Sequence, residues 1–375
     1  MSARVRRPAE GCEGASLQGA RPGVFRVFVH MAKPGAGRCG FSPRLGDVIP
    51  ADLSRAVVHA VRRAVEGGEL GGAGSVPERV VVERTRPGGV GEYATPVAFQ
   101  VAKGAARAPR DVADVLARLL AEEPGIARVD VTGAGFLNFT LAARSEAALV
   151  REVLGAGVRY GYAAGGRAAD PFCWAPSVGP RERAVREAAG RIAASQGQSY
   201  GQERAAMAVA PVARRDGDVI AAYGQDAARW AMVGVPARET PAFTPGLLVQ
   251  DESNEFFRVR YAHSRARALS RNAEQLGFDA EPGEGGGTGG RELVRLIAEY
   301  PLVLEAAAHH RAPERLVRHL VAVADALLDH QHHVLPRGDE KPSAAHRAQL
   351  ALAEAAGTVL AGGLALLGVD APDFL

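Results

Sequence analysis

Lysine is almost missing from this chain. Lys33, Lys103 and Lys341 are its whole complement, and arginine carries the rest of the positive charge, as a GC-rich coding sequence would produce. A Walker-type phosphate loop, which needs a lysine, is excluded from the long stretch between Lys103 and Lys341. Cysteine is equally scarce: Cys12, Cys39 and Cys173 have neither the paired spacing of a zinc site nor the even number of a disulfide framework. A reducing cytoplasm is therefore the expected setting. No apolar run reaches the roughly 18 residues of a membrane span, so no membrane partner is expected. Neither sign of charge is in excess. The formal net charge is +3, and any surface for nucleic acid has to be local.

What is present is enough apolar residue, 47% of 375, for two or three domains with separate cores. Residues 1–49 are rich in Arg, Gly and Pro, without hydrophobic periodicity and without the apolar core or cleavage site of a secretory signal. They read as a disordered extension, or as the product of a start codon set too far upstream. From residue 50 the pattern becomes regular. Leu53, Ala56, Val57, Ala60, Val61 and Ala64 recur at helical spacing behind a cap at Asp52. Arg79 to Glu83 reads as a strand, followed by helices over 95–105 and 111–122, strands over 126–131 and 136–141, and a helix over 145–155. Together these predict a small α/β domain over 50–162. Gly133-Ala134-Gly135 precedes a strand instead of opening a helix, and no third glycine follows, so a dinucleotide fingerprint is rejected.

Residues 163–217 read as a linker carrying one basic helix over 181–196. From 218 onward every periodic segment is helical: 220–233, 254–277, 291–300, 302–310, 314–330 and 346–367, with a flexible glycine-rich loop over 283–290 and a stop at Pro301. The fold class is α+β, a small α/β amino-terminal domain followed by an all-α helical bundle over 218–375.

The helix over 254–277 is the most informative. Val259, Ala262, Ala266 and Leu269 form one apolar stripe, and Phe257, Tyr261 and Ala268 a second, which predicts packing on two sides. Between them Arg260, Arg267 and Arg271 form a guanidinium ridge that no acidic i+4 partner neutralises. Such a ridge takes phosphate or carboxylate; taken alone, the same pattern also describes a solvated face.

The wording of this helix, Phe256-Phe257-Arg258-Val259-Arg260-Tyr261-Ala262-His263-Ser264-Arg265, resembles the helix that opens the DALR-type anticodon-binding domain of arginyl-tRNA synthetases. Later phrases are also similar to that family: Glu299-Tyr300-Pro301-Leu302-Val303, Ala312-Pro313-Glu314-Arg315-Leu316, Leu335-Pro336, and Leu366-Leu367-Gly368-Val369-Asp370-Ala371-Pro372-Asp373. Upstream, Glu83, the loop Gly91-Glu92-Tyr93-Ala94-Thr95-Pro96 and the strand Gly133-Ala134-Gly135-Phe136-Leu137-Asn138 resemble the family's amino-terminal domain, which contacts the outer corner of tRNA. Tyr223 to Trp230 resembles the helix that follows the catalytic fold.

The resemblance implies a tRNA partner, arginine-accepting or another. Arg260, Tyr261, Arg265 and Arg267 match the anticodon-facing helix, and Arg271 extends the same ridge. Tyr93, Phe136 and Asn138 are the matched residues of the amino-terminal domain. Phe136 and Tyr261 have core positions as their alternative reading.

The departure from the family lies in the middle. A class I synthetase activates its amino acid with a His-x-Gly-His turn and a lysine-bearing mobile loop, which stabilise charge on the phosphates. Neither occurs here, and 163–217 is too short for the catalytic domain. No catalytic residue, cofactor or metal is expected. His330, His332 and His333 cluster beside Asp329, but adjacent histidines point to different helix faces, so a solvated helix end is expected there. Ser177 and Ser195 lack a nucleophile turn. The sequence therefore points to a tRNA-binding protein without the aminoacylating core. The alternatives are a module with a protein partner that has lost RNA affinity, and a working ligase.

Overall fold

α1 (Pro50–Glu66) forms because its apolar residues share one face: Leu53, Val57, Ala60, Val61 and Ala64 are all completely buried. It starts two residues before the expected cap, at a proline that has no N–H to leave unpaired in a first turn. The computed structural model describes residues 50–375 apart from 72–75, 78–79, 86–88, 124, 142–144, 170–177, 199–206 and 284–286. The expected extension over 1–49, the three cysteines and Ser177 lie outside the described residues.

Four antiparallel strands follow, β1 (Glu83–Arg84), β2 (Tyr93–Thr95), β3 (Ile126–Thr132) and β4 (Phe136–Leu141), in the order β1-β2-β4-β3. The strand expected over 79–83 pairs only at Glu83–Arg84. Just before it, side chains replace the ladder: the Ser54 hydroxyl donates to the Val80 carbonyl (2.5 Å) and the Thr95 hydroxyl to that of Val81 (2.8 Å). α2 (Val97–Ala105) begins later than expected because Thr95 is committed to β2, opposite Leu137. α3 (Pro109–Leu120) lies against α1 and α2 and buries Val112, Leu116 and Leu120.

α4 (Glu146–Ala156), capped by Ser145, runs through a 3-10 turn at Gly157–Arg159 and packs on the bundle. The basic helix expected within the linker over 181–196 is α5 (Pro180–Ser195), and it buries Val185, Ala188 and Ile192 in the bundle's own core. Arg181 explains its attachment. The side chain is 1% exposed and its guanidinium donates to the carbonyls of Ala210 (2.5 Å), Pro236 (2.9 Å) and Met232 (3.3 Å). Burial lowers the pKa of this guanidinium, and three carbonyl acceptors offset the desolvation.

The helix expected over 220–233 is two, α6 (Val219–Tyr223) and α7 (Gln225–Val233), broken at Gly224, whose φ of +78° suits glycine. α8 (Glu255–Gln275) is followed by α9 (Gly287–His310), which includes the end of the expected glycine loop and passes straight through Pro301. A proline inside a helix orphans the carbonyl four residues earlier. Here that carbonyl, of Ile297, accepts the Tyr160 hydroxyl at 3.3 Å, so the helix continues. α10 (Pro313–His330) and α11 (Ala344–Leu367) complete the bundle, α11 ending at Gly368 in the left-handed conformation. By length and composition α11 could cross a membrane, but 78% of its most apolar window is buried inside the bundle. It is the bundle's core helix.

The sheet domain and the bundle share packing. Leu302 of α9 belongs to the same apolar cluster as Leu53 and Val57 of α1, and the Ser54 hydroxyl also reaches Glu305 at 3.2 Å.

Candidate nucleic-acid interface

α8 is positioned by its cap. The Asn254 side-chain oxygen accepts from the Phe256 N–H (3.1 Å), while its amide donates to the carbonyls of Val249 (2.7 Å) and Leu247 (3.1 Å). One asparagine thus fixes both the helix start and the 3-10 turn Pro245–Leu248 beside it. The expected stripe is in the core: Val259, Ala262, Ala266 and Leu269 are at most 1% exposed. Gly357 of α11 permits the close approach, since a methyl there would come within 2.9 Å of the Ala266 side chain.

The second expected stripe does not enter a core. Phe257 and Tyr261, one turn apart, stack on each other at 5.5 Å between ring centroids and 14° between planes, and Tyr261 stays 38% exposed. The helix does pack against both α10 and α11, but not through this stripe, which leaves an aromatic step at the surface. Beside it opens a cleft of about 430 Å³ lined by Gly224, Leu248, Val249, Phe257, Arg260 and Leu375. Arg260 lies 5.3 Å over the Phe256 ring, and its Nε has no acceptor among the described residues. A cation, stacked rings and an apolar floor with Leu248 55% exposed meet here, with the Asp226 carboxylate also on the wall. The rings and guanidinium offer stacking planes for a splayed base.

The other arginines nominated on α8 are engaged. Arg265 Nε donates to the Gln331 side chain at 2.7 Å, Arg267 Nε meets Asp373 Oδ1 at 3.1 Å, and Arg271 reaches the Asp373 carbonyl at 3.4 Å with its guanidinium 4.2 Å over the Phe374 ring. The ridge has no acidic i+4 partner on its own helix, and the acid that meets it, Asp373, is supplied from beyond α11. His263 and Ser264 complete the attachment through the carbonyls of Pro372 (3.0 Å) and Asp373 (3.2 Å). Burial lowers the His263 pKa, against the opposing pull of the Pro372 carbonyl and Asp373.

In the sheet domain the three nominated residues part company. Tyr93 is 5% exposed with its hydroxyl 3.5 Å from Glu299 of α9, and burial, reinforced by Glu299, raises its pKa. Asn138 is 5% exposed and donates to the Thr132 hydroxyl at 2.7 Å, tying the β3–β4 hairpin together. Both side chains are buried where a surface position was expected: β2 and β4 are the inner strands, and these positions face packing. Phe136 is 45% exposed, edge-on to Phe99 at 5.1 Å, and the turn before it is held by Arg110 donating to the Gly133 carbonyl (2.9 Å). It alone of the three remains on the surface.

A second cleft, about 530 Å³, lies where α1 meets α4 and α9, lined by Arg55, His59, Arg62, Glu152, Tyr162 and Glu305. Its wall carries both signs of charge, Arg55 and Arg62 beside the carboxylates of Glu152 and Glu305. Of the histidine cluster, His330 is buried at 1% exposure and its ring lies 6.2 Å from that of His333; among the described residues no group of His, Cys, Asp and Glu is arranged for a metal. Sequence reasoning missed Asn254 and Phe374 as parts of the interface. The asparagine before a helix start was a legible capping signal; the tail's return to α8 was not.

Residues 51–141 match the family described as arginyl tRNA synthetase N terminal domain, and residues 259–375 match the DALR anticodon binding domain. The chain is 47% identical over 163 residues to an arginine–tRNA ligase of Frankia alni, covering 41% of this chain and 29% of that one. It is 49% identical over 115 residues to an arginine–tRNA ligase of Micrococcus luteus, covering 30% and 21%. It thus spans less than a third of the length of these curated relatives. In fold it is similar to Thermus thermophilus arginyl-tRNA synthetase, with a TM-score of 0.57 at 14% identity, covering 88% of this chain and 100% of that one. The chain therefore carries two domains, one in the sheet region similar to the N terminal domain of arginyl-tRNA synthetases and one beginning inside α8 similar to the DALR anticodon binding domain.

Proposed function

We propose that this protein binds the anticodon arm of a tRNA on the outer face of α8 and does not aminoacylate it. The observation that carries the reading is the cleft of about 430 Å³ at the start of the DALR-matched region, where Arg260 and the Phe257–Tyr261 stack stand together. Stacking on such rings is worth about 1–3 kcal/mol per base. The absence of catalysis is supported by the sequence, which carries neither the His-x-Gly-His turn nor a lysine between Lys103 and Lys341. Filter binding of arginine-accepting tRNA over a salt series tests the first part. A steep loss of affinity with salt is expected, by about 0.7 in the logarithmic slope for each single-strand phosphate contacted, and Arg260→Ala lowers both affinity and slope. Affinity that is undetectable at low salt would overturn it. Arginine-dependent exchange of pyrophosphate into ATP would overturn the second part.

A second reading, a protein-binding regulatory module without RNA affinity, draws on the engagement of Arg267 and Arg271 by Asp373 and Phe374. It predicts that the salt series stays flat.

A further inference from the structure

The segment after α11 lies on the ridge that the proposed RNA face would use. Val369, 4% exposed, is buried in the core with its N–H on the Leu364 carbonyl at 3.0 Å, and Ala371 packs partly buried against the same core. Beyond that point residues 372–374 are held by polar and ring contacts to α8 alone: Pro372 carbonyl to His263, Asp373 carboxylate to Arg267, Asp373 carbonyl to Ser264 and Arg271, Phe374 ring under the Arg271 guanidinium. Phe374 is 72% exposed and the Asp373 side chain 53%, so nothing buries them.

These contacts copy the chemistry of a nucleotide. A carboxylate occupies one guanidinium, carbonyl oxygens take the donors a phosphate would take, and an aromatic ring lies against a second guanidinium as a base does. Arg260 and Tyr261, nearer the start of the helix, are left outside this arrangement.

We propose that residues 372–374 are an internal stand-in for nucleic acid, which an RNA strand displaces from Arg267 and Arg271 when it docks on α8. The inference rests on the reading of α8 as an RNA face. The displaced contacts are exposed and individually weak, so the segment sets a modest threshold instead of closing the site. It lowers apparent affinity by the fraction of molecules in which the ridge is occupied.

An RNA hairpin with the sequence of an arginine-accepting anticodon arm, titrated by fluorescence anisotropy, tests this. Asp373→Asn keeps the shape and removes the charge; combined with Phe374→Ala it removes both halves of the mimic, and neither side chain is buried, so folding is preserved. The double variant is expected to bind about fivefold more tightly than the parent, with a steeper loss on adding salt because no internal ion pair is being exchanged. Equal or weaker binding by the variant overturns the inference while leaving the RNA reading standing, and weaker binding would assign the segment to the RNA site itself. If neither protein binds the hairpin at low salt, the RNA reading fails and this inference fails with it.

Discussion

Tyr93 sets its hydroxyl 3.5 Å from the Glu299 carboxylate, across the boundary between the sheet and the bundle. The same carboxylate takes Arg295 at 2.7 Å through both oxygens and Arg84 at 3.4 Å, and its side chain is only 12% exposed. One acid therefore holds two cations and a phenol from two structural halves. Glu299→Ala leaves the Tyr93 hydroxyl and Arg84 without this acceptor, while Arg295 keeps its pairing with Glu292. Because Arg84 is half exposed and rehydrates, the expected cost is about 1–2 kcal/mol, at roughly 1–2 °C in Tm per kcal/mol for a chain of this size. Scanning calorimetry checks it. The shared packing around Leu302 predicts one cooperative transition for sheet and bundle together in the parent.

Phe136 and Asn138 are neighbours in sequence with opposite roles, and alanine at each position separates them. Asn138→Ala removes a buried donor to the Thr132 hydroxyl and is expected to cost about 1–3 kcal/mol. Phe136→Ala removes an exposed ring that meets only the edge of Phe99, and is expected to leave Tm nearly unchanged. Any effect of Phe136→Ala on tRNA affinity is then a surface effect. A drop in Tm for Phe136→Ala as large as that for Asn138→Ala would contradict the assignment.

The stripe Val259, Ala262, Ala266 and Leu269 was legible because helical burial follows a period that residue types reveal. Pro301 misled for an instructive reason: the rule that proline ends a helix concerns one orphaned carbonyl, and here a tyrosine hydroxyl from 137 residues upstream satisfies it. Arg181 shows the same limit. No local pattern announces that a guanidinium will collect three backbone carbonyls and turn an expected linker into core. For the candidate site, arginines and aromatics were visible in the sequence, but their availability depended on partners distant along the chain: Glu299 for Tyr93, Asp373 for Arg267. Residue type indicated the chemistry, and tertiary packing decided which groups remained open to use it.

α8 and α11 meet closely at Gly357, where a methyl would stand 2.9 Å from the Ala266 side chain. A branched side chain there has to push the helices apart. Gly357→Val is expected to destabilise by about 1–3 kcal/mol through overpacking, and to weaken hairpin binding as well, because the displaced helix carries Arg260 and Tyr261. Ala268→Val, a substitution at a half-buried position on the same helix, serves as the control and is expected to change Tm by much less. Urea unfolding and anisotropy titration on both variants check the pair.

His319 gives the bundle an acid limit. The ring is buried in α10 with Tyr300 at 6.0 Å, and burial pushes its pKa down from 6.5 to about 4, with Arg295 acting in the same direction and the Leu296 backbone opposing. In the unfolded chain the imidazole takes a proton below about pH 6.5, whereas in the folded chain it does so only below about pH 4. Between those values the unfolded state binds more protons, so stability falls as pH falls, and the contribution is complete only above the unfolded pKa. A displacement of this size corresponds to roughly 3 kcal/mol once both pKa values have been passed. His319→Gln keeps a polar group of similar size and cannot take up that proton, so its urea midpoint is expected to decline less between pH 6.5 and 4 than that of the parent. Parallel pH profiles for the two proteins would show that the buried imidazole is not what limits the fold in acid.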